Sequence, residues 1–313
     1  MRIPGWVVSL LGLLLLVGCS DAQRSYRAQD TSQSLNWEGQ NRTYEIHVPV
    51  NLKPGPAMVL VLHGGGGNGA QTMNSFGLNA IADRKGFIAV YPDGTGSQAY
   101  PKAKVWNAIH CCSIAYEENV DDVGFLSALI QKLSAQYSVD PSKVYVTGIS
   151  NGAMMAYRLA SEKSNLIAAI APISGTIGGD PDSSDGDATM NIIPAPQEPV
   201  AVAIFHGTAD RRVPYAGGQG EAIVIGTPHR NDLSVAESAK FWVKANGCNP
   251  TPQTQSLPPA KLDLYRGCRA GADLAVYSLQ GYGHTWNWTR AIFPGQKSTT
   301  DLIWEFFAAH PKR

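Results

Sequence analysis

The sequence predicts an α/β chain with a mostly parallel central sheet and helices on both faces. Three observations point there. Short continuous apolar runs, such as Ala57 to Leu62 and Phe87 to Tyr91, have the length of strands buried on both faces. Segments of helical period separate them, as in Val123, Leu126, Ile130, Leu133 and Tyr137. The two kinds alternate for most of the chain, the pattern of strands joined through crossover helices.

Taken in order, Tyr44, Ile46 and Val48 alternate with polar residues and read as a half-exposed edge strand. The run from Ala57 follows, then a helix near Met73 to Lys85 and the strand Phe87 to Tyr91. Asn119 can cap the next helix, with Asp121 and Asp122 as acidic residues at its start. Lys143 to Thr147 is a strand and Asn151 to Ser161 the helix directly after it. Leu166 to Ile173 and Val200 to Phe205 are strands, Leu233 to Ala245 a helix, Asp273 to Leu279 a strand and Thr300 to Ala309 a closing helix. The segments 177–199 and 216–231 are rich in Gly, Pro, Asp and Ser, and read as surface insertions rather than a second domain.

The first residues belong to transport rather than to the fold. Arg2 precedes an apolar run from Val7 to Val17, too short to span a bilayer, and Gly18-Cys19-Ser20 closes it. Residues 1–18 read as a signal peptide. Residues 19–40, polar and short of large apolar side chains, read as a tether, and 41–313 as the folded domain. With 25 basic and 25 acidic residues the net charge is zero, and no basic run exists to track phosphates, so nucleic acid is not an expected partner.

Besides Cys19 there are Cys111, Cys112, Cys248 and Cys268. Four cysteines allow three pairings. The simplest joins Cys248 to Cys268 across a Pro-rich excursion and leaves Cys111 and Cys112 as a vicinal bridge or as thiols. No Cys-x-x-Cys or comparable ligand spacing supports a metal site, and no metal or organic cofactor is expected.

The chemistry concentrates at Gly148-Ile-Ser150-Asn-Gly152, between Lys-Val-Tyr-Val-Thr and Ala-Met-Met-Ala-Tyr-Arg-Leu-Ala. A strand enters and a helix leaves, the context that a G-x-S-x-G elbow needs to hold a serine exposed at a sharp turn. A serine hydroxyl needs a base at neutral pH. His284, in Gly281-Tyr-Gly-His-Thr-Trp286 after the last predicted strand, is the candidate. His63 and His206 each end a strand before glycine and read as loop-orienting residues. Asp210, in Phe205-His-Gly-Thr-Ala-Asp, is the candidate for orienting the imidazole. Leu62-His-Gly-Gly-Gly-Gly67 lets backbone amides approach a substrate oxygen. One oxyanion donor is expected from Gly65 or Gly66 and the other from the amide of Asn151. Without a following Gly-Lys-Ser/Thr, the glycine run is not a nucleotide loop. Trp106 and Trp286 are candidate walls for a flat or apolar acyl group, with ordinary core packing as their other role.

These motifs occur together and in order with Tyr91-Pro-Asp-Gly94, Trp106-Asn107 ahead of Cys111-Cys112, Val120-Asp-Asp-Val-Gly-Phe125 and Gly283-His-Thr-Trp286. The set resembles the polyhydroxybutyrate depolymerase and feruloyl/acetylxylan esterase group, carbohydrate esterase family 1-like, from Tyr44 to Ala309. The resemblance implies a single-domain α/β-hydrolase fold and a Ser150–His284–Asp210 triad. It also implies hydrolysis, through an acyl-enzyme, of feruloyl, acetyl or short hydroxyalkanoate esters. Members often continue Gly-His-Thr-Trp with Pro-Gly, whereas Asn287-Trp288 follows here, which puts the pocket rim in question. Leu16-Val-Gly-Cys19 resembles the lipobox of bacterial lipoproteins, which implies that Cys19 is diacylated and that an exported, membrane-anchored protein meets an ester substrate. The rival expectations are a serine peptidase and a non-catalytic binding lipoprotein on the same fold. The first would call for a propeller or lid domain, and the second is disfavoured by three intact triad residue types.

Overall fold

The computed structural model describes residues 29–50, 52–181, 189–221, 230–285 and 287–313. The signal sequence and Cys19 lie outside the described residues, as does Trp286.

Ten strands form the main sheet. They are β1 Gln29–Trp37, β2 Gln40–Val48, β3 Ala57–Leu62, β4 Phe87–Pro92, β5 Val144–Ile149, β6 Ala169–Ile173, β7 Ala201–Gly207, β8 Gln253–Leu257, β9 Ala260–Tyr265 and β10 Leu274–Leu279. Their order across the sheet is β1-β2-β4-β3-β5-β6-β7-β10-β9-β8. The six from β4 to β10 run parallel, and an antiparallel pair closes each edge. The carboxyl ends of β3, β5, β7 and β10 therefore open on one side, where ligands bind in open α/β sheets.

The period of two explains the continuous apolar runs. Along β3, Met58, Leu60 and Leu62 enter one core layer, while Ala57, Val59 and Val61 enter the other. The first layer is closed by the helices α4 Asp122–Tyr137, α5 Asn151–Glu162 and α6 Val235–Asn246. The second is closed by α1 Gly69–Phe76, α2 Leu78–Lys85 and α7 Thr299–Ala309. The short helix α3, Ser113–Glu117, follows the vicinal cysteines. Each fully buried Val, Leu or Ile contributes roughly 1.5–3 kcal/mol, so two filled layers anchor the loops that rise from the strand ends. The observed architecture is the single-domain α/β-hydrolase fold.

Several expectations are corrected in detail. The helix expected over 73–85 is two helices, broken at Gly77, whose φ of 73° is left-handed. The helix α4 is capped by Asp121, whose carboxylate accepts the Gly124 N–H, and not by Asn119. Asp122 does open that helix, but its side chain is wholly buried on Arg42, Nη2 to Oδ1 2.6 Å. The tether expected through residue 40 ends earlier, because β1 begins at Gln29 and pairs with β2 along its length. From Asp30 to Trp37 its residues alternate between exposed and half-buried, so almost no apolar signal marks it. Within the two expected insertions, short strands such as Gly178–Asp180 and Asn231–Asp232 pair into a small four-stranded sheet.

Both cysteine pairs are bridged, Cys248 to Cys268 and Cys111 to Cys112. The first spans 20 positions. By the chain-entropy model a loop of that size contributes about 3 kcal/mol. The segment it encloses is the antiparallel hairpin of β8 and β9, not an open excursion, and β9 pairs directly with β10.

Candidate active site

Ser150 stands between β5 and α5 with φ 56° and ψ −123°, a conformation that L residues adopt only where the surroundings enforce it. The surroundings do so here. A Cβ on Gly152 would lie 2.4 Å from the carbonyl oxygens of Leu62 and His63, and one on Gly148 would lie 2.7 Å from the Gly152 oxygen. Only glycines let β3, β5 and the helix start pack this closely. The serine backbone is tied down by Ser150 N–H to Ile173 O at 2.9 Å and Met154 N–H to Ser150 O at 3.0 Å. The side chain thus sits at the N-terminus of a helix, the positive end of its dipole.

Asp210 and His284 meet at the same edge of the sheet. His284 Nδ1 lies 2.9 and 3.1 Å from the two carboxylate oxygens of Asp210. Asp210 also accepts the backbone N–H groups of Arg212 at 2.9 Å and Val213 at 3.0 Å. A fourth partner was not legible in sequence. His206 Nε2 lies 3.4 Å from Asp210 Oδ2 while donating to Val213 O at 2.8 Å. Burial alone would raise the Asp210 pKa. The hydrogen bonds from His206, His284 and Val213 outweigh it and hold the carboxyl below the usual carboxylate range. A buried, ionised carboxylate facing Nδ1 selects the imidazole tautomer that leaves Nε2 free to accept a proton.

The glycine loop after β3 is folded by its own amides. Gly66 N–H donates to Lys104 O at 2.8 Å, Gly67 N–H to Gly64 O at 3.0 Å and Lys104 N–H to Gly67 O at 3.0 Å. The two expected loop donors are thereby narrowed, since the Gly66 amide is engaged in holding the turn. Gly65 faces the helix start: a Cβ there would stand 3.8 Å from Asn151 Cβ, and one on Gly64 would stand 3.6 Å from Ser150 Cβ.

Trp106 does not wall a pocket, as the sequence had suggested it could. It is fully buried. Its indole Nε1–H donates to His63 O at 3.0 Å, and its main chain pairs with the Asn151 side chain. Trp288, at the departure from the family pattern, is also buried and stacks on Phe76 with ring centroids 5.8 Å apart. Asp122, 15 positions beyond Asn107, accepts that residue's N–H at 2.8 Å, and Arg158 donates to Asn107 O at 2.7 Å. These charged residues brace the loop between β4 and α4. Among the described residues, no group of three or more His, Cys, Asp or Glu side chains is placed to hold a metal ion.

His63 is buried, donating from Nδ1 to Gly64 O at 2.8 Å and accepting the Gly94 N–H at Nε2 at 2.9 Å. Burial pushes its pKa down to about 4. Burial also lowers the pKa of His110. His63 is therefore neutral in the fold down to about pH 4, whereas an unfolded histidine begins to take a proton below about pH 6.5. The contribution of His63 to stability is complete above that value and is lost as pH falls toward 4, at a cost on the order of 3 kcal/mol. A urea series should show the unfolding midpoint falling between pH 6.5 and 4.5. A flat midpoint over that interval would contradict the buried neutral state.

Comparison with known proteins points to one family. The family model described as esterase PHB depolymerase matches residues 44–240. The protein NocK of Nocardia uniformis subsp. tsuyamanensis is 30% identical over 83% of this chain and 74% of its own length. Feruloyl esterase B of Piromyces equi is 29% identical over 64% of this chain but only 34% of its own length, so this chain spans about a third of it. Among solved structures, an acetyl xylan esterase from Aspergillus awamori superposes with a TM-score of 0.60, covering 89% of this chain and 99% of that one at 18% identity, a likeness of fold. The chain therefore belongs to the esterase PHB depolymerase family.

Proposed function

We propose that this chain is an exported serine esterase that hydrolyses feruloyl, acetyl or short hydroxyalkanoate esters through an acyl-enzyme. The observation that carries the reading is the strained serine elbow on the same sheet edge as the hydrogen-bonded His284 and Asp210. Ser150 attacks the ester carbonyl as His284 takes its proton, and Asp210 stabilises the imidazolium that forms. The tetrahedral oxyanion rests on the amides of Gly65 and Asn151. His284 returns the proton to the leaving alcohol. Water, activated by the same imidazole, then releases the acid and restores the serine.

The substrate class follows the family and similar proteins named feruloyl esterase and acetylxylan esterase. A panel of p-nitrophenyl acetate and butyrate, methyl ferulate, acetylated xylan and 3-hydroxybutyrate oligomers tests it. Turnover of at least one, with no hydrolysis of the matching amides, is expected. Cleavage of amides alone would overturn the ester assignment.

The membrane attachment is proposed on the Leu-Val-Gly-Cys19 sequence. Cys19→Ser should abolish palmitate labelling and release the enzyme from membranes. An unlabelled parent protein that still sediments with membranes would contradict it. No helix among the described residues is long and apolar enough to cross a membrane.

A further inference from the structure

We infer that Trp106 is the positioning residue of the oxyanion hole, a strut that fixes the two donor amides relative to each other. The inference rests on the catalytic reading above and adds to it the reason the donors hold their separation. An oxyanion hole works only when its donors converge to within 2.7–3.1 Å of the developing charge. Here the donors belong to different segments: Gly65 to the loop after β3, Asn151 to the first turn of α5. The loop carries four consecutive glycines, with little backbone stiffness of its own.

Trp106 reaches both segments. Toward the loop, its indole Nε1–H donates to His63 O at 3.0 Å and its ring lies against the His63 imidazole, centroids 4.9 Å apart. Toward the helix, its backbone N–H donates to Asn151 Oδ1 at 2.7 Å, and its carbonyl accepts Asn151 Nδ2–H at 2.9 Å. The Asn151 amide thus pairs with Trp106 as a neighbouring strand would, which fixes the rotation of the helix start from which the Asn151 N–H projects. Asn151 Nδ2 also lies 3.7 Å from Cys111 Sγ. Two residues earlier, Lys104 exchanges backbone bonds with Gly66 and Gly67. One short segment therefore holds the glycine loop, the histidine before it and the helix end after the nucleophile.

The residue types fit the task. An amide side chain supplies one donor and one acceptor at the spacing of a peptide group, which neither aspartate nor leucine can do. An indole fills a fully buried space and still carries one N–H to a carbonyl. Because Trp106 has no exposure, it acts on the reaction only through the groups it holds.

The test is Trp106→Phe, which keeps a ring in the space and removes the bond to His63 O. Rates are expressed per active site, titrated with a fluorophosphonate. We expect kcat/KM to fall about tenfold, with a matching loss of affinity for a boronic acid, whose tetrahedral serine adduct places an oxygen in the hole. Asn151→Ala should act in the same direction. The double variant should be little worse than the poorer single one, because both act through one pair of donors. A purely structural role would lower thermal stability or the titrated fraction while leaving both per-site quantities within twofold of the parent, and that result would overturn the inference. Should Trp106→Phe not fold, site-specific placement of 3-benzothienylalanine at position 106 retains the bicycle without the N–H and is read by the same two quantities. Failure of the strut leaves the nucleophile assignment intact, whereas an active Ser150→Ala enzyme removes both.

Discussion

Ser150→Ala should lower kcat by about 10⁴–10⁶-fold, the range seen when single members of a triad are removed, while thermal unfolding stays close to that of the parent. The change removes one oxygen and little else. The elbow is held by backbone bonds, Ser150 N–H to Ile173 O and Met154 N–H to Ser150 O, which alanine makes equally well. The positive φ is imposed by Gly148 and Gly152 packing on the ends of β3 and β5, not by the serine side chain. Activity loss with retained stability therefore separates a nucleophile from a structural serine. Full activity in the variant would show that the hydroxyl does no chemistry.

Asp210→Asn should cost about 10⁴-fold in kcat, in line with a triad whose imidazole is fixed in the wrong tautomer. The carboxylate receives His284 Nδ1–H together with the N–H groups of Arg212 and Val213, and His206 approaches at 3.4 Å. An asparagine has one oxygen to offer these donors. Its NH2 must then either oppose an N–H or donate to His284 Nδ1, which moves the imidazole proton to Nε2 and removes the base. Stability should fall as well, because the depressed Asp210 pKa marks a carboxylate favoured in the fold. That contribution is complete above the usual carboxylate pKa of about 3.9 and is lost only as pH falls through the depressed value. The stability difference between parent and variant should therefore be steady from pH 5 to 8. A variant that retains a tenth of parental kcat would contradict the role given to Asp210.

Local signals carried the parts of this molecule that local physics determines. The run from Ala57 to Leu62 is a strand at those bounds because six consecutive buried positions serve two core layers. Ser234 with Glu237, and Ser298 with Asp301, form capping boxes that place the starts of α6 and α7 within two residues of the expected positions. The order of serine, aspartate and histidine at strand ends was legible because parallel topology converts sequence order into a shared edge. Interactions between distant segments left no such trace. Arg42 and Asp122 are 80 positions apart, and nothing around either residue announces the pair. For Trp106 the sequence left a substrate wall and ordinary core packing both open, because an aromatic carries no mark of which backbone carbonyl its N–H will meet. The strand β1 escaped notice because an edge strand with one face on solvent can be polar throughout most of its length.

The nucleophile can be identified directly by mass. The full chain is incubated with a fluorophosphonate until ester hydrolysis ceases, digested, and the peptides are sequenced by fragmentation. A single phosphonyl adduct on Ser150, in step with loss of activity and absent from Asp210→Asn over the same interval, is the expected result. An adduct on another residue, or complete inactivation with Ser150 unmodified, would contradict Ser150 as the catalytic nucleophile.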